Sequence, residues 1–449
     1  MRRLIAGFLF IAALGISCDT KKVERVSIDY DSLYRESLTK LTDVIVHDIF
    51  SPPVASRIYA YTNITGYEIM AVNNDEYVSL SGQLTDFKSF EPAADTSLNY
   101  ELSAIYGALN TGRALIFSED MISDYVNDLD SVFIASGIPQ TEIDNAKEYA
   151  AMASAEVLKW ADKDNYKQTR SFEKYAIMEG DAYWKPTPPA YMEGIEPHWD
   201  KIRPFVIDSA SQFKPIPPTP FSTDKESKFY SEMMEVYNVG VNLTKEQEAI
   251  AKFWDCNPYV AHQQGHMMFA TKKITPGGHW IEIVRLVTDK ADNDFSETIE
   301  AYTWVSVALA DGFISCWDEK YRSSLVRPET IINQIVDEEW VPLLQTPPFP
   351  EYTSGHSVIS RSAATVLTYL YGEEFSFYDD TEERYGLPAR NFNSFMEASE
   401  EAAVSRLYGG IHYRPAIEEG VKQGERVGRY IIENLKTKEA TEQMALQGE

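Results

Sequence analysis

Three short segments in the last third of the chain carry residue types suited to one chemistry. The first holds Lys320 and Arg327, with Pro328 following. The second holds Ser354, Gly355, His356 and Ser357, four residues after Pro350. The third holds Ser405, Arg406 and His412. Together they offer three cations, a Ser-Gly turn and two imidazoles. Lys and Arg neutralise a multiply charged oxyanion, and Arg can bind two of its oxygens at once. A Ser-Gly pair opening a helix presents free N–H donors at the positive end of the helix dipole. Gly355 has no Cβ to keep an oxyanion away from the backbone. A His supplies a nucleophilic or ligating nitrogen, or carries a proton. Each residue alone would be an ordinary surface charge, turn or cap; the ordered combination carries the reading.

The elements that must position these groups are helices. Asp294 and Glu297 make a capping-box start. Ile299, Tyr302, Val305, Leu309 and Phe313 then recur at three and four, a helix leading to Lys320. Further helices are expected from near Ser354 to Tyr371, from about Phe395 to Tyr408, and from about Ala416 to Leu435. Residues 36–165 also have helical periodicity, with an Ala-rich helix from Ala146 to Trp160. Residues 166–223 change character, because nine of the 22 prolines lie there. Proline removes helix donors, but Trp184, Trp199 and Phe205 argue against a solvated linker. An ordered irregular wrap is expected, joining a helical half at 36–165 to a helical half at 224–438 that bears the site. Strand-like alternation is sparse, and Trp280–Val287 is its best example. The expected fold class is all-α, a helical bundle with a long Pro-rich irregular wrap.

The 449 residues are 44% apolar and 12% aromatic, enough for a large core. The formal charge of -28 repels nucleic acid and disfavours an anionic membrane face. Basic residues at three ordered places in so acidic a chain are therefore informative. Arg2 and Arg3 precede an apolar stretch, Leu4–Leu14, too short for a permanent span. Ser17 followed by Cys18 resembles a bacterial lipobox, although Gly15 stands where Leu is commonest. Residues 1–17 are expected to be a lipoprotein-type signal, with acylation at Cys18. A plain cleaved signal or a retained anchor are the alternatives. Residues 18–35 read as a polar tether and 439–449 as a tail. The protein would be exported and held at the bacterial cell envelope by its lipid.

The spacing K-x6-R-P, then S-G-H, then S-R-x5-H resembles the signature of the type 2 phosphatidic acid phosphatase and vanadium-dependent haloperoxidase superfamily. The motif core covers Lys320 to His412. Trp184, Trp199 and the Arg203-Pro204-Phe205 run extend the likeness to its exported bacterial haloperoxidase-like branch. The resemblance implies a helical bundle and an anion site. In it, Lys320, Arg327 and Arg406 hold equatorial oxygens, while Ser354 and the Gly355 N–H donate hydrogen bonds. It makes His412 the apical ligand of vanadium in a haloperoxidase, or the nucleophile in a phosphatase, and His356 the acid–base group. Vanadate would be the cofactor, and hydrogen peroxide and a halide the substrates. The alternative on the same site is an acid phosphatase working on phosphomonoesters through a phosphohistidine. Trp317 and Phe349 resemble the aromatic walls of haloperoxidase pockets, and Asp255 the acid that braces Arg406. Thr353 replaces the usual Pro before Ser-Gly-His, and as a Thr it can still cap a helix. Ala416 stands where the family often has an Asp that orients the imidazole, which weighs against the phosphatase. The halide and the oligomeric state, a homo-oligomer included, stay open.

Three other features stand apart. His262 and His266 are spaced to share a helix face, but no third metal ligand accompanies them. His279, after two glycines, is a candidate to approach the site. Cys256 and Cys316 are too few for a zinc site by themselves.

Overall fold

The computed structural model describes residues 25–88, 90, 98–264 and 267–438. The expected signal with Cys18, His266 and the expected tail lie outside the described residues. Fourteen helices are described: α1 (Tyr30–His47), α2 (Pro52–Val72), α3 (Tyr100–Ala114), α4 (Glu119–Ala135), α5 (Gln140–Ala161), α6 (Tyr166–Thr169), α7 (Lys228–Val241), α8 (Lys245–Phe253), α9 (Pro276–Lys290), α10 (Phe295–Ser323), α11 (Pro328–Ile335), α12 (Gly355–Tyr371), α13 (Phe395–Tyr408) and α14 (Arg414–Asn434). Two small antiparallel hairpins, β1 (Val260–Gln264) with β2 (Met267–Thr271) and β3 (Phe377–Asp379) with β4 (Arg390–Phe392), and two single-turn 3-10 helices, Trp199–Lys201 and Glu383–Tyr385, complete the described elements.

The all-α class holds, and its centre is a pair of helices buried almost all round. In α2, Ser51 precedes Pro52 and Pro53, so proline occupies positions whose N–H groups have no helical partner. Small and aromatic residues follow, and Ile58, Tyr59, Ala60, Tyr61 and Ile64 have no exposed surface. In α10, the expected capping box is present, with Asp294 and Glu297 each binding the other's backbone N–H. Helix α2 packs on α3 and α10, α10 on α12, and α12 on α13 and α14. Helix α14 lies close against α12. Gly420, Gly424 and Gly428 repeat at every fourth position along the contact. A Cβ on Gly424 would lie 2.0 Å from the Val358 carbonyl oxygen, so this crossing admits only glycine there.

The Pro-rich wrap is ordered by hydrogen bonds to the bundle. The Asp311 carboxylate on α10 accepts the backbone N–H groups of Phe205, Val206 and Ile207 at 2.7, 2.7 and 3.0 Å. The Trp184 N–H donates to the Ser324 carbonyl at 2.8 Å, and Trp184 and Trp199 are buried. These contacts replace the internal hydrogen bonds that proline forbids.

Three expectations change. Trp280–Val287 is not a strand but the middle of α9. Thr275 caps that helix by accepting the Gly278 N–H, and Pro276 is its first residue. Residues 276–284 are buried on every side, so neither periodicity could show in the sequence. Residues 30–35, expected in the tether, belong to α1. Asp29 caps that helix and Tyr34, with no exposed surface, hydrogen-bonds Asn63 at 2.8 Å. His262 lies on strand β1 rather than on the helix expected there.

Candidate active site

The three segments meet where helix ends converge. Lys320 sits in the last turn of α10, Arg327 caps α11, Ser354 caps α12, Arg406 sits in the last turn of α13, and His412 lies in the turn before α14. Lys320 and Arg327 have no exposed surface, and Arg406 only 2%. Three buried cations so close together are costly unless an anion joins them.

Lys320 Nζ donates to the carbonyls of Pro350, Glu351 and Thr353 at 3.1, 3.2 and 2.5 Å. It thereby moulds the loop that delivers Ser354, in addition to bringing charge. Burial drives its ammonium down to about 7. Arg327 Nε donates to the Phe349 carbonyl at 2.9 Å and Nη1 to the Ile411 carbonyl at 2.8 Å, while Nη2 is buried without a hydrogen-bond partner. Arg406 Nη1 donates to the Trp254 carbonyl at 2.7 Å, and its Nε is likewise buried and unpartnered.

Ser354, not Thr353, caps α12: its Oγ accepts the Ser357 N–H at 3.3 Å. Thr353 instead donates to Gln423 Oε1 at 2.7 Å. The cap leaves the Gly355 and His356 N–H groups ahead of it at the positive end of the dipole. His356 hydrogen-bonds the Trp254 main chain, and its Nε2 is buried without a partner. Burial, then Arg406, holds its pKa well below the ordinary value, so the ring is neutral.

His412 is set by a residue the sequence did not reveal. Its Nδ1 lies 2.8 Å from Glu351 Oε1, which also accepts the Tyr413 N–H at 2.9 Å. Burial, followed by Arg327 and Lys320, keeps the imidazole well below its ordinary pKa. A neutral ring that donates from Nδ1 carries its lone pair on Nε2, which accepts from Arg327 Nη1 at 3.1 Å. Glu351 thus performs the orienting task for which the sequence offered no Asp at position 416. Ala416 touches the site only through its carbonyl, which accepts the Ser354 N–H at 3.0 Å. The one sequence sign of Glu351 is an acid three residues before Ser354, which has no helical spacing to His412.

Trp317 and Phe349 form a wall, with ring centroids 5.0 Å apart. Lys320 Nζ lies 4.9 Å from the Phe349 centroid and 5.8 Å from that of Trp317, within cation–π reach. Both rings line a cavity that also reaches Gly355, His356, Arg406 and His412. The expected brace between Asp255 and Arg406 is not a hydrogen bond. Asp255 Oδ2 pairs with Lys273 at 2.7 Å, and its influence on Arg406 is electrostatic. Arg406 is held by the neighbouring Trp254 carbonyl instead. His279 is buried behind the site, stacked on Trp254 with centroids 4.7 Å apart, and does not line the cavity. Cys256 and Cys316 are both free thiols.

A tetrahedral oxyanion such as vanadate or phosphate fits this arrangement. Arg327 Nη2, Arg406 Nε and His356 Nε2 are buried polar atoms in want of a partner, and Gly355 leaves the backbone open. The fold and site define an oxyanion-binding histidine enzyme built in a helical bundle. A family model for the VCPO second helical-bundle domain matches residues 300–439. The first bacterial vanadium-dependent iodoperoxidase, known from a crystal structure, is 49% identical, with a TM-score of 0.88 over 94% of this chain and 100% of that one. Holo and apo crystal structures of a bacterial vanadium-dependent chloroperoxidase share the fold at 15% and 13% identity, each with a TM-score of 0.64. They cover 86% of this chain, and 93% and 95% of their own. No curated protein matches. The chain belongs to the vanadium-dependent haloperoxidase family.

Proposed function

We propose that this haloperoxidase holds vanadate at His412 and oxidises iodide with hydrogen peroxide. The observation that carries the reading is the His412 imidazole. It is neutral, held by Glu351 at 2.8 Å and directed with its Nε2 lone pair among three buried cations. Iodide rests on the similarity to the iodoperoxidase at 49% identity.

Bound vanadate supplies a Lewis acid that activates peroxide toward halide without a change in metal oxidation state. The chain's own residues do the rest. His412 Nε2 offers the ligand atom, and Glu351 keeps its proton on Nδ1. Lys320, Arg327 and Arg406 balance the oxyanion charge, with Ser354 Oγ and the Gly355 N–H as further donors. His356, neutral and free at Nε2, accepts a proton as peroxide binds and returns one as water leaves. The balance is halide plus hydrogen peroxide plus a proton giving hypohalous acid and water. Trp317 and Phe349 exclude water beside the reacting centre, which favours a large, weakly hydrated halide. The test is a halide panel with peroxide after vanadate loading. Iodide should turn over fastest; turnover of a phosphomonoester by the vanadate-free protein, with no halide oxidation when loaded, overturns the reading.

The Arg2-Arg3 start, the apolar Leu4–Leu14 run and the Ser17-Cys18 pair support export and acylation at Cys18. Expression in a bacterium with labelled fatty acid should mark the wild type but not Cys18→Ser. A labelled Cys18→Ser protein, or an unlabelled wild type, contradicts this.

A further inference from the structure

Beside Arg406, at the edge of the oxyanion cavity that Cys256 also lines, three ligand-bearing side chains converge that the anion site does not use. Cys256 follows α8, His279 is in the first turns of α9, and Glu382 follows β3. None is more than 1% exposed. Cys256 Sγ lies 3.4 Å and Glu382 Oε1 3.5 Å from His279 Nδ1, and the three atoms lie within 4.8 Å of one another.

The protons of this cluster are countable. His279 Nε2 faces Asp379 Oδ2 at 2.9 Å and Thr381 Oγ1 at 2.7 Å. The Thr381 hydroxyl donates to Asp379 Oδ1 at 2.6 Å, so both neighbours of Nε2 accept, and Nε2 must carry the hydrogen. Although burial opposes it, Asp379 and then Cys256 hold the ring well above its ordinary pKa, so without a metal Nδ1 also carries a hydrogen, facing the sulfur and a carboxylate oxygen that is buried without a hydrogen bond. A metal ion would take the place of that hydrogen among the three ligand atoms. Burial raises the Glu382 carboxyl to about 7, opposed first by the His279 charge and then by Lys273, which is itself paired with Asp255 at 2.7 Å.

We infer that Cys256, His279 and Glu382 bind a divalent transition-metal ion of the zinc class, beside the vanadate site. The sulfur, nitrogen and oxygen set is that of zinc. A tetrahedral centre with metal–sulfur near 2.3 Å and metal–nitrogen or metal–oxygen near 2.0–2.1 Å separates its ligand atoms by about 3.3–3.6 Å. The two distances from His279 Nδ1 match that spacing. Asp379 on Nε2 completes the carboxylate–histidine–metal arrangement that fixes the ring's tautomer and direction. Three protein ligands leave a fourth position for water. Binding releases the Cys256 thiol proton and the His279 Nδ1 proton to solvent, so affinity rises with pH.

The ion would tie three chain segments together beneath Trp254. That residue stacks on His279 and holds Arg406 with its carbonyl, so the metal is a positioning element for the oxyanion pocket.

The test is cobalt titration of chelator-treated, full-length protein, read by visible absorption and by metal analysis. The expected result is one cobalt per chain, with a thiolate-to-cobalt charge-transfer band that zinc bleaches and excess vanadate does not. Cys256→Ser should abolish the band, Cys316→Ser should keep it, and Asp379→Asn should weaken binding by about 10- to 100-fold. If Cys256→Ser fails to fold, zinc protection of Cys256 from alkylation in the wild type, located by peptide mass, gives the same reading. Binding below one equivalent, a band without thiolate character, or equal alkylation of Cys256 with and without zinc overturns the inference.

Discussion

Replacing Glu351 separates two ways in which the oxyanion pocket could work. In the first, Glu351 holds the His412 proton on Nδ1 and so keeps the Nε2 lone pair directed into the site. The contact is 2.8 Å and fully buried, and a hydrogen bond to a charged group contributes about 1.5–3 kcal/mol. Groups of this kind behind a metal ligand typically alter affinity by about 10- to 100-fold, or roughly 1.4–2.7 kcal/mol, which agrees. Glu351→Gln keeps an acceptor and loses the charge, so vanadate Kd should rise about tenfold; Glu351→Ala loses both and should approach 100-fold. Burial pushes the Glu351 carboxyl up to about 7, against Arg327 and Lys320. The Gln effect should therefore be full at pH 8 and fade below pH 6, where the wild-type carboxyl is itself neutral. Plain electrostatics predicts the opposite sign, because removing a negative charge makes the pocket more attractive to an anion. The assay is equilibrium vanadate binding to the apo protein, with thermal unfolding to confirm that each variant folds. Tighter vanadate binding by Glu351→Gln, or unchanged binding by a folded Glu351→Ala, rules out the orienting role.

Other links in the structure can be tested one at a time. His356→Ala should lower kcat for halide oxidation by about 10²- to 10⁴-fold, with a much smaller rise in vanadate Kd; losses of equal size in both would deny it the proton role. Lys320 is held to about 7 by burial, so its charge is present below pH 7 and lost above it. Affinity for tungstate, a tetrahedral dianion that does not titrate in this range, should be flat below pH 7 and fall by up to about tenfold per unit above it. A calorimetric titration that is flat to pH 9 contradicts this. Gly424→Ala should push α14 off α12 at a cost of about 1–3 kcal/mol or more, seen as a lower denaturation midpoint and weaker oxyanion binding. Asp311→Ala strands three backbone N–H groups of the wrap and should cost about 3 kcal/mol or more in denaturant unfolding, whereas a neutral result would mean that the wrap is held elsewhere.

Much of the site was legible because its chemistry is local. Lys320, Arg327, Ser354, Gly355, His356, Arg406 and His412 declare themselves by type and spacing, and the helices that carry them announce their ends. Asp294 with Glu297 marks the start of α10, and the expected bounds of α13, Phe395 to Tyr408, are those observed. What stayed hidden is what depends on long-range packing. Glu351 reaches His412 across 61 residues, so a search along the helix after the histidine for its acid could not find it. The Trp254 carbonyl that binds Arg406 is backbone, and no side-chain pattern reports it. The first nine residues of helix α9 are buried on every side, so no exposed polar face sets a period there. Asp255 was placed near Arg406 correctly in space but not in partner, because Lys273 competes for its carboxylate.

Whether this pocket uses vanadate to oxidise halide can be decided on one preparation carried through metal analysis and turnover. The apo protein is loaded with vanadate, the bound vanadium per chain is counted, and peroxide-dependent oxidation of iodide is measured on the same sample and on His412→Ala. The expected result is one vanadium per wild-type chain, iodide oxidation in proportion to bound vanadium, and loss of both in the variant. Full vanadium occupancy without oxidation of any halide would contradict it.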